Sequence, residues 1–198
     1  MTDSGQNSLM VTPMRKLSLV LLVLLLTSLA SAAEPDQVMP YRQVGEHELS
    51  MHVFLPDDFK SSDSRPAVVF FFGGGWTGGA PGQFYPFADY LADRGMVVMA
   101  AEYRTKKGHG TDPFACVEDA KAAMRWARAH AAEWGIDPRR LAAGGGSAGG
   151  HLAAATAFVP GLNEAEANFD VSCVPDALIL YNPVIDNGPG GYGFERVA

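Results

Sequence analysis

The chain has 198 residues, 47% of them hydrophobic and 19% charged, with a formal net charge of −7. This length suits one domain with a sizeable core, and the composition excludes a disordered or fibrous chain. The acidic balance, with no Lys/Arg cluster beyond the N-terminal leader, argues against a nucleic-acid partner.

Arg15 and Lys16 precede the apolar run Leu17–Leu29, which leads into Ala30-Ser31-Ala32. A positive stretch, a short apolar core and small residues at its end mark a secretory signal. Residues 1–32 are therefore read as a signal peptide cut near Ala32 or Ala33, and residues 33–198 as the mature domain. The apolar run falls short of the ~20 residues of a membrane span. No stable span is expected after cleavage, and the expected location is secreted or periplasmic. The only cysteines are Cys116 and Cys173. In an exported protein they either pair or stay as two buried thiols, and without further ligands they do not make a zinc site.

Along the mature chain, Tyr41–Val44 and Glu48–Leu55 read as a hairpin turning at Gly45-Glu46. Ala67–Phe72 is an apolar run of strand length, as for a strand buried on both faces. A Gly-rich loop follows, then a helix over Gln83–Asp93 ended by Arg94-Gly95. Met96–Ala101 is a second buried strand and leads into Glu102-Tyr103-Arg104. Thr105–Thr111 is a polar loop. Asp112 and Pro113 suit the cap and first position of a helix over Phe114–Trp134, with Val117, Ala120, Met124, Ala127 and Ala131 on one stripe. Leu141–Ala143 opens the next strand, Gly149–Phe158 the next helix, and Ala177–Tyr181 a further buried strand. Asn182–Ala198 is Gly-rich and irregular. The alternation predicts an α/β domain, with a mainly parallel sheet and helices on both faces.

Two glycine clusters carry the chemistry. Gly145, Ser147 and Gly149 form G-x-S-x-G between a predicted strand and a predicted helix, a context that lifts a serine onto a sharp turn. Such a hydroxyl can attack an acyl carbon. Gly73-Gly74-Gly75 follows the Ala67–Phe72 strand, where backbone N–H groups can face a developing oxyanion.

These residues resemble the α/β-hydrolase superfamily, and within it bacterial esterase/lipase proteins of the acetyl-esterase and hormone-sensitive-lipase type. The likeness runs from about Glu48 to Val184. It rests on Gly73-Gly74-Gly75-Trp76, Glu102-Tyr103-Arg104, Gly145–Gly150 with His151-Leu152-Ala153, and Asn182-Pro183. The resemblance implies Ser147 as nucleophile and the amides of Gly74, Gly75 and Ala148 as the oxyanion hole, with Gly73 a further candidate. Trp76 and Tyr103 are candidates for the walls of the cleft or for packing. No metal or organic cofactor is implied.

Two features depart from that pattern. Phe72 stands where the family has a histidine before its glycines. The family's triad order is Ser, then Asp or Glu, then His, yet no histidine follows His151. His151 matches a support position. His109 is read as a solvated loop residue, and His47, His52 and His130 as hairpin or helix-surface residues. Asp170, Asp176 and Asp186 follow Ser147, but the family's acid comes after a further strand, and Asp186 reads as a rim aspartate. The triad Asp and His are thus expected outside this chain, with the chain the N-terminal part of a longer enzyme whose last strands are missing and which is inactive alone. With no room for a helical N-terminal cap, the cleft is expected to be open. Acetyl or aromatic-acyl esters, on polysaccharides, are the leading expectation. A non-catalytic binding protein of the same fold and a serine peptidase of the same superfamily are the alternatives.

Overall fold

A computed structural model describes residues 33–197; the signal-peptide reading of residues 1–32 falls outside the described residues. The elements are β1 (Gln37–Val44), β2 (His47–Phe54), β3 (Arg65–Phe71), a 3-10 turn (Pro81–Phe84), α1 (Tyr85–Ala92), β4 (Val97–Ala101), α2 (Lys106–His109), α3 (Pro113–Ala129), β5 (Ile136–Gly146), α4 (Ala148–Phe158), β6 (Ala177–Tyr181) and α5 (Phe194–Val197). They build a six-stranded sheet in the order β1-β2-β4-β3-β5-β6. β1, β2 and β4 pair antiparallel, while β4, β3, β5 and β6 run parallel.

The hairpin turns at Gly45, whose φ of 59° suits a two-residue loop. Its register slips between Pro40 and Arg42, next to a proline that cannot donate to the ladder. β3 and β4 are buried almost throughout, because helices cover both faces. Asp112 caps α3 as expected, its Oδ1 accepting from Ala115 N at 3.0 Å.

Several expected boundaries move. The helix read to Trp134 stops at Ala129, and residues 130–134 form a turn that hands Ile136 N to the Ala131 carbonyl at 2.8 Å. β5 starts at Ile136 rather than Leu141; Pro138 is tolerated because the ladder to β3 is interrupted between Ile136 and Leu141. The Thr105–Thr111 loop contains the single turn α2, capped by Thr105 Oγ1. β6, read as a buried strand, is a half-exposed edge: β5 pairs with one side and no described strand with the other. Cys116 and Cys173 are two separate buried thiols. Cys116 sits against the Arg104 carbonyl at 3.0 Å, and burial pushes its thiol pKa up to about 12.

The connections fix where a ligand can bind. Right-handed crossovers put α1, between β3 and β4, on one face of the sheet. They put α3 and α4, which follow β4 and β5 in the opposite direction, on the other. The chain therefore leaves the ends of the neighbouring strands β3 and β5 toward opposite faces. Such a switch point opens a crevice at the carboxyl ends of the strands.

Candidate active site

Ser147 and the Gly73–Gly75 loop both lie at that crevice, one after β5 and one after β3. Ser147 has φ 54° and ψ −118°, a left-handed conformation that side chains rarely adopt. The surrounding backbone imposes it. A Cβ at Gly149 would collide with the Phe71 carbonyl, so α4 can start this close to β3 only with glycine there. Ser147 N–H donates to the Tyr181 carbonyl at 2.9 Å. The Ser147 carbonyl accepts from His151 N at 3.0 Å and Val184 N at 3.2 Å. The serine is thus bolted to α4 and to the segment after β6, with its hydroxyl at the N-terminus of an 11-residue helix, where negative charge is favoured.

The facing loop is equally constrained. Gly74 has φ 137°, and a Cβ there would strike the Gly78 carbonyl. The Gly74 carbonyl accepts from Thr77 N at 3.1 Å, and α2 closes the loop through Lys106 N to the Trp76 carbonyl at 3.0 Å. A Cβ at Gly73 would lie 3.4 Å from Ser147 Cβ, so loop and elbow touch. Among the described residues, no hydrogen bond takes up the N–H of Gly74, Gly75 or Ala148. The Gly73 N–H is occupied: the side-chain oxygen of Gln83 accepts from it at 2.5 Å.

Tyr103 is a packing residue, whereas Trp76 is packed on one side and borders a cavity beside Gly75 on the other. Tyr103 is 2% exposed, stacks on Phe72 with ring centroids 4.0 Å apart, and donates its hydroxyl to the Phe72 carbonyl at 2.7 Å. Phe72 thus supports the loop by stacking. Trp76 is 1% exposed and meets the His151 ring edge-on at 5.1 Å. The groove that does flank Ser147 holds about 430 Å³ and is lined by Asn182, Pro183, Val184, Ile185, Asp186 and Tyr192. The sequence singles out Asn182, Pro183 and Asp186 but not Ile185 or Tyr192, whose segment has no periodicity; the signal for them is apolar side chains amid glycines.

Among the described residues, no histidine hydrogen-bonds the Ser147 hydroxyl. The His151 ring is turned toward Trp76, and burial holds its pKa below the usual imidazole value, which keeps it neutral. His109 Nδ1 accepts from Thr105 N at 3.0 Å, and its ring meets His47 edge-on at 4.7 Å. His52, read as a surface residue, is tucked between β2 and α1, with Nδ1 2.6 Å from the Tyr85 hydroxyl. Asp186 borders the groove but accepts from Gly188 N at 2.8 Å, as a rim aspartate does. Asp176 accepts from Leu141 N at 3.0 Å, and Asp170 is exposed. No group of three or more His, Cys, Asp or Glu among the described residues could hold a metal. No described helix is long and apolar enough to cross a membrane.

One further cluster braces the site. Asp119 is fully buried on α3. It accepts from Arg104 N at 2.9 Å and from Arg104 Nε at 2.8 Å, and it pairs with Arg42 of β1. It ties the end of β4 to the hairpin and to α3.

The model of the BD-FAE family matches residues 51–186. The chain belongs to the BD-FAE family. This family member is also 35% identical over 132 residues to the probable carboxylic ester hydrolase LipM of Mycobacterium tuberculosis, covering 62% of this chain and 30% of that protein. Over 133 residues it is 32% identical to the carboxylesterase NlhH of the same species, covering 62% of this chain and 40% of that protein. Among solved structures, esterase 2 of Thermogutta terrifontis phosphorylated by paraoxon superposes with a TM-score of 0.77 at 46% identity, over 82% of this chain and 60% of that one. The fold is that of the α/β-hydrolases, and the named relatives are esterases. The BD-FAE chain described here spans well under half the length of these two curated relatives.

Proposed function

We propose that this chain carries the nucleophile and oxyanion hole of a serine carboxylesterase. Ser147 Oγ attacks the acyl carbon of an ester, the carbonyl oxygen gains negative charge, and the alkoxide leaves with a proton to give an acyl-Ser147. Water then releases the acid. The developing oxyanion is held by the N–H groups of Gly74, Gly75 and Ala148, and losing one such donor typically costs about 3–4 kcal/mol of barrier. The observation that carries this reading is a strained Ser147 in contact with a glycine loop, with the N–H groups of Gly74, Gly75 and Ala148 taken up by no described residue. The esterase names of the relatives support it.

The substrates we propose are short acyl or aromatic-acyl esters, with acylated polysaccharide as the bulky scaffold. An open groove beside Ser147, bordered by exposed Ile185 and Tyr192, supports a large alcohol portion. Structures of the Thermogutta esterase carry propionate and butyrate, which supports a small acyl group. We further propose export, on the character of residues 1–32.

The Ser147 proton needs an acceptor within hydrogen-bond reach. Because no described histidine reaches the hydroxyl, we propose that the 198-residue chain alone hydrolyses p-nitrophenyl acetate at or near background. The product of the full open reading frame is expected to hydrolyse it, and Ser147→Ala to abolish that turnover. Undiminished turnover in the mutant would remove Ser147 from its role; rapid turnover by the 198-residue chain would refute the separation of nucleophile and base. The same lack of a base contact keeps one second reading, a non-catalytic binding protein of this fold. It predicts no turnover from either product.

A further inference from the structure

Gln83 lies outside every motif in the sequence, yet its side chain reaches the reacting corner. It sits in the 3-10 turn, between the buried residues Pro81 and Phe84. Phe84 anchors that turn by stacking on Phe70, with centroids 4.7 Å apart. From this fixed base the exposed Gln83 side chain accepts a hydrogen bond from Gly73 N–H. An N–H can only donate, so the carboxamide atom facing it is the oxygen. The contact falls where the loop meets the elbow. A Cβ on Gly73 would lie 2.9 Å from the Gly146 carbonyl and 3.4 Å from Ser147 Cβ, and the Gln83 oxygen is 3.4 Å from that same point.

We propose that Gln83 is a positioning residue of the oxyanion loop. By taking the Gly73 N–H, it fixes the peptide that enters the loop and leaves Gly74, Gly75 and Ala148 as the donor set. This rests on the esterase reading of the site. Placement matters because donors must already point at the developing charge, and a shift of about 1 Å can cost roughly 100-fold in rate. Gln83 holds the loop at its entry, Gly73, and α2 closes it further on, through Trp76. Without Gln83, the bonds to the Trp76, Thr77 and Gly75 carbonyls keep the loop's turn, but the peptide that enters it at Gly73 loses its register against Ser147.

The test uses two variants and two readouts. Gln83→Leu removes the acceptor at similar size; Gln83→Glu keeps an acceptor and adds a titratable charge. In the 198-residue chain labelled with 15N-glycine, the Gly73 amide resonance is followed with pH. It should titrate in Gln83→Glu around the carboxyl range and stay flat in the wild type. In the product of the full open reading frame, Gln83→Leu should lower kcat by about 10- to 100-fold with little change in KM. Gln83→Glu should be impaired relative to the wild type at neutral pH, where its carboxylate opposes the oxyanion, and the ratio of the two rates should approach that of an uncharged variant as pH falls toward the carboxyl range, where turnover of both declines as the base is protonated. A Gly73 resonance indifferent to Gln83→Glu would overturn the contact. An unchanged kcat in Gln83→Leu would overturn its role. If the wild-type product shows no ester hydrolysis, the esterase reading fails, and the Gly73 titration alone decides whether Gln83 holds the loop.

Discussion

The buried carboxylate of Asp119 offers a direct test of how the corner beside the site is held. Asp119→Ala would leave Arg104, 9% exposed, and Arg42 facing one another without their shared counter-charge, and the Arg104 N–H without an acceptor. Removing one partner of a buried pair typically costs about 3–5 kcal/mol. Glu118 still receives Arg104 Nη2 at 3.1 Å from a part-exposed position, so the expected loss is near the lower end, about 3 kcal/mol. At ~2–4 °C per kcal/mol for a chain of this size, Tm should fall by roughly 6–12 °C. Urea unfolding followed by tryptophan fluorescence reads the change, at low and at high salt. A buried pair is weakly screened, so the loss should persist at high salt. A loss below ~1 kcal/mol, or one that vanishes with salt, would rank the cluster with surface ion pairs and refute this account.

The remaining tests are brief. Burial depresses the His151 pKa, so the unfolded chain binds a proton at higher pH than the native one does. Stability should therefore fall as pH drops below the unfolded value of ~6.5 and level off below the folded pKa; His151→Gln should remove that component of the urea midpoint's pH dependence. Cys116, with its pKa pushed up to about 12, and Cys173, which is also buried, should both resist Ellman's reagent in the native chain and react fully in urea. A fast native reaction at either thiol would contradict their burial.

What the sequence made legible follows the range of the interactions. The elbow is a local device: Gly145, Ser147 and Gly149 lie within five positions, and the strain is made by backbone around them, so the pattern reads directly. The Asp112 cap of α3 and the unbroken apolar runs of β3 and β4 are legible for the same reason. The pairing of Gln83 with Gly73 leaves no trace, because an exposed glutamine in a turn looks like any other. Trp76 and Tyr103 could be read as walls because large aromatics near a catalytic loop serve either purpose. Only the stack of Tyr103 on Phe72 assigns that residue to packing, while Trp76 meets His151 edge-on and still borders the cavity beside Gly75. The apolar run of β6 suits burial, yet the strand is half-exposed among the described residues, because such a run does not report what lies beside it.

The restraints on Ser147 lead to a prediction about the trade between stability and reactivity. Three backbone hydrogen bonds hold this residue at φ 54°, and none uses its side chain. A non-glycine residue held in such a region typically costs about 1–3 kcal/mol, and it persists only where the surroundings over-determine it. Ser147→Ala keeps a Cβ and should keep that cost. Ser147→Gly removes the Cβ, relieves the strain, and gives back roughly 0.5–1 kcal/mol through the greater freedom of glycine in the unfolded chain. The net expectation is a Ser147→Gly protein more stable than Ser147→Ala by about 1 kcal/mol, or ~2–4 °C in Tm. Calorimetry of the two variants decides it. A Ser147→Gly protein less stable than Ser147→Ala by roughly 0.5–1 kcal/mol, the entropy of glycine alone, would mean that the elbow stores no strain and that the serine sits there at no cost to the fold. A clear gain would mean that the hydroxyl is kept at this corner against the preference of the backbone, as expected where a residue is selected for reactivity rather than for stability.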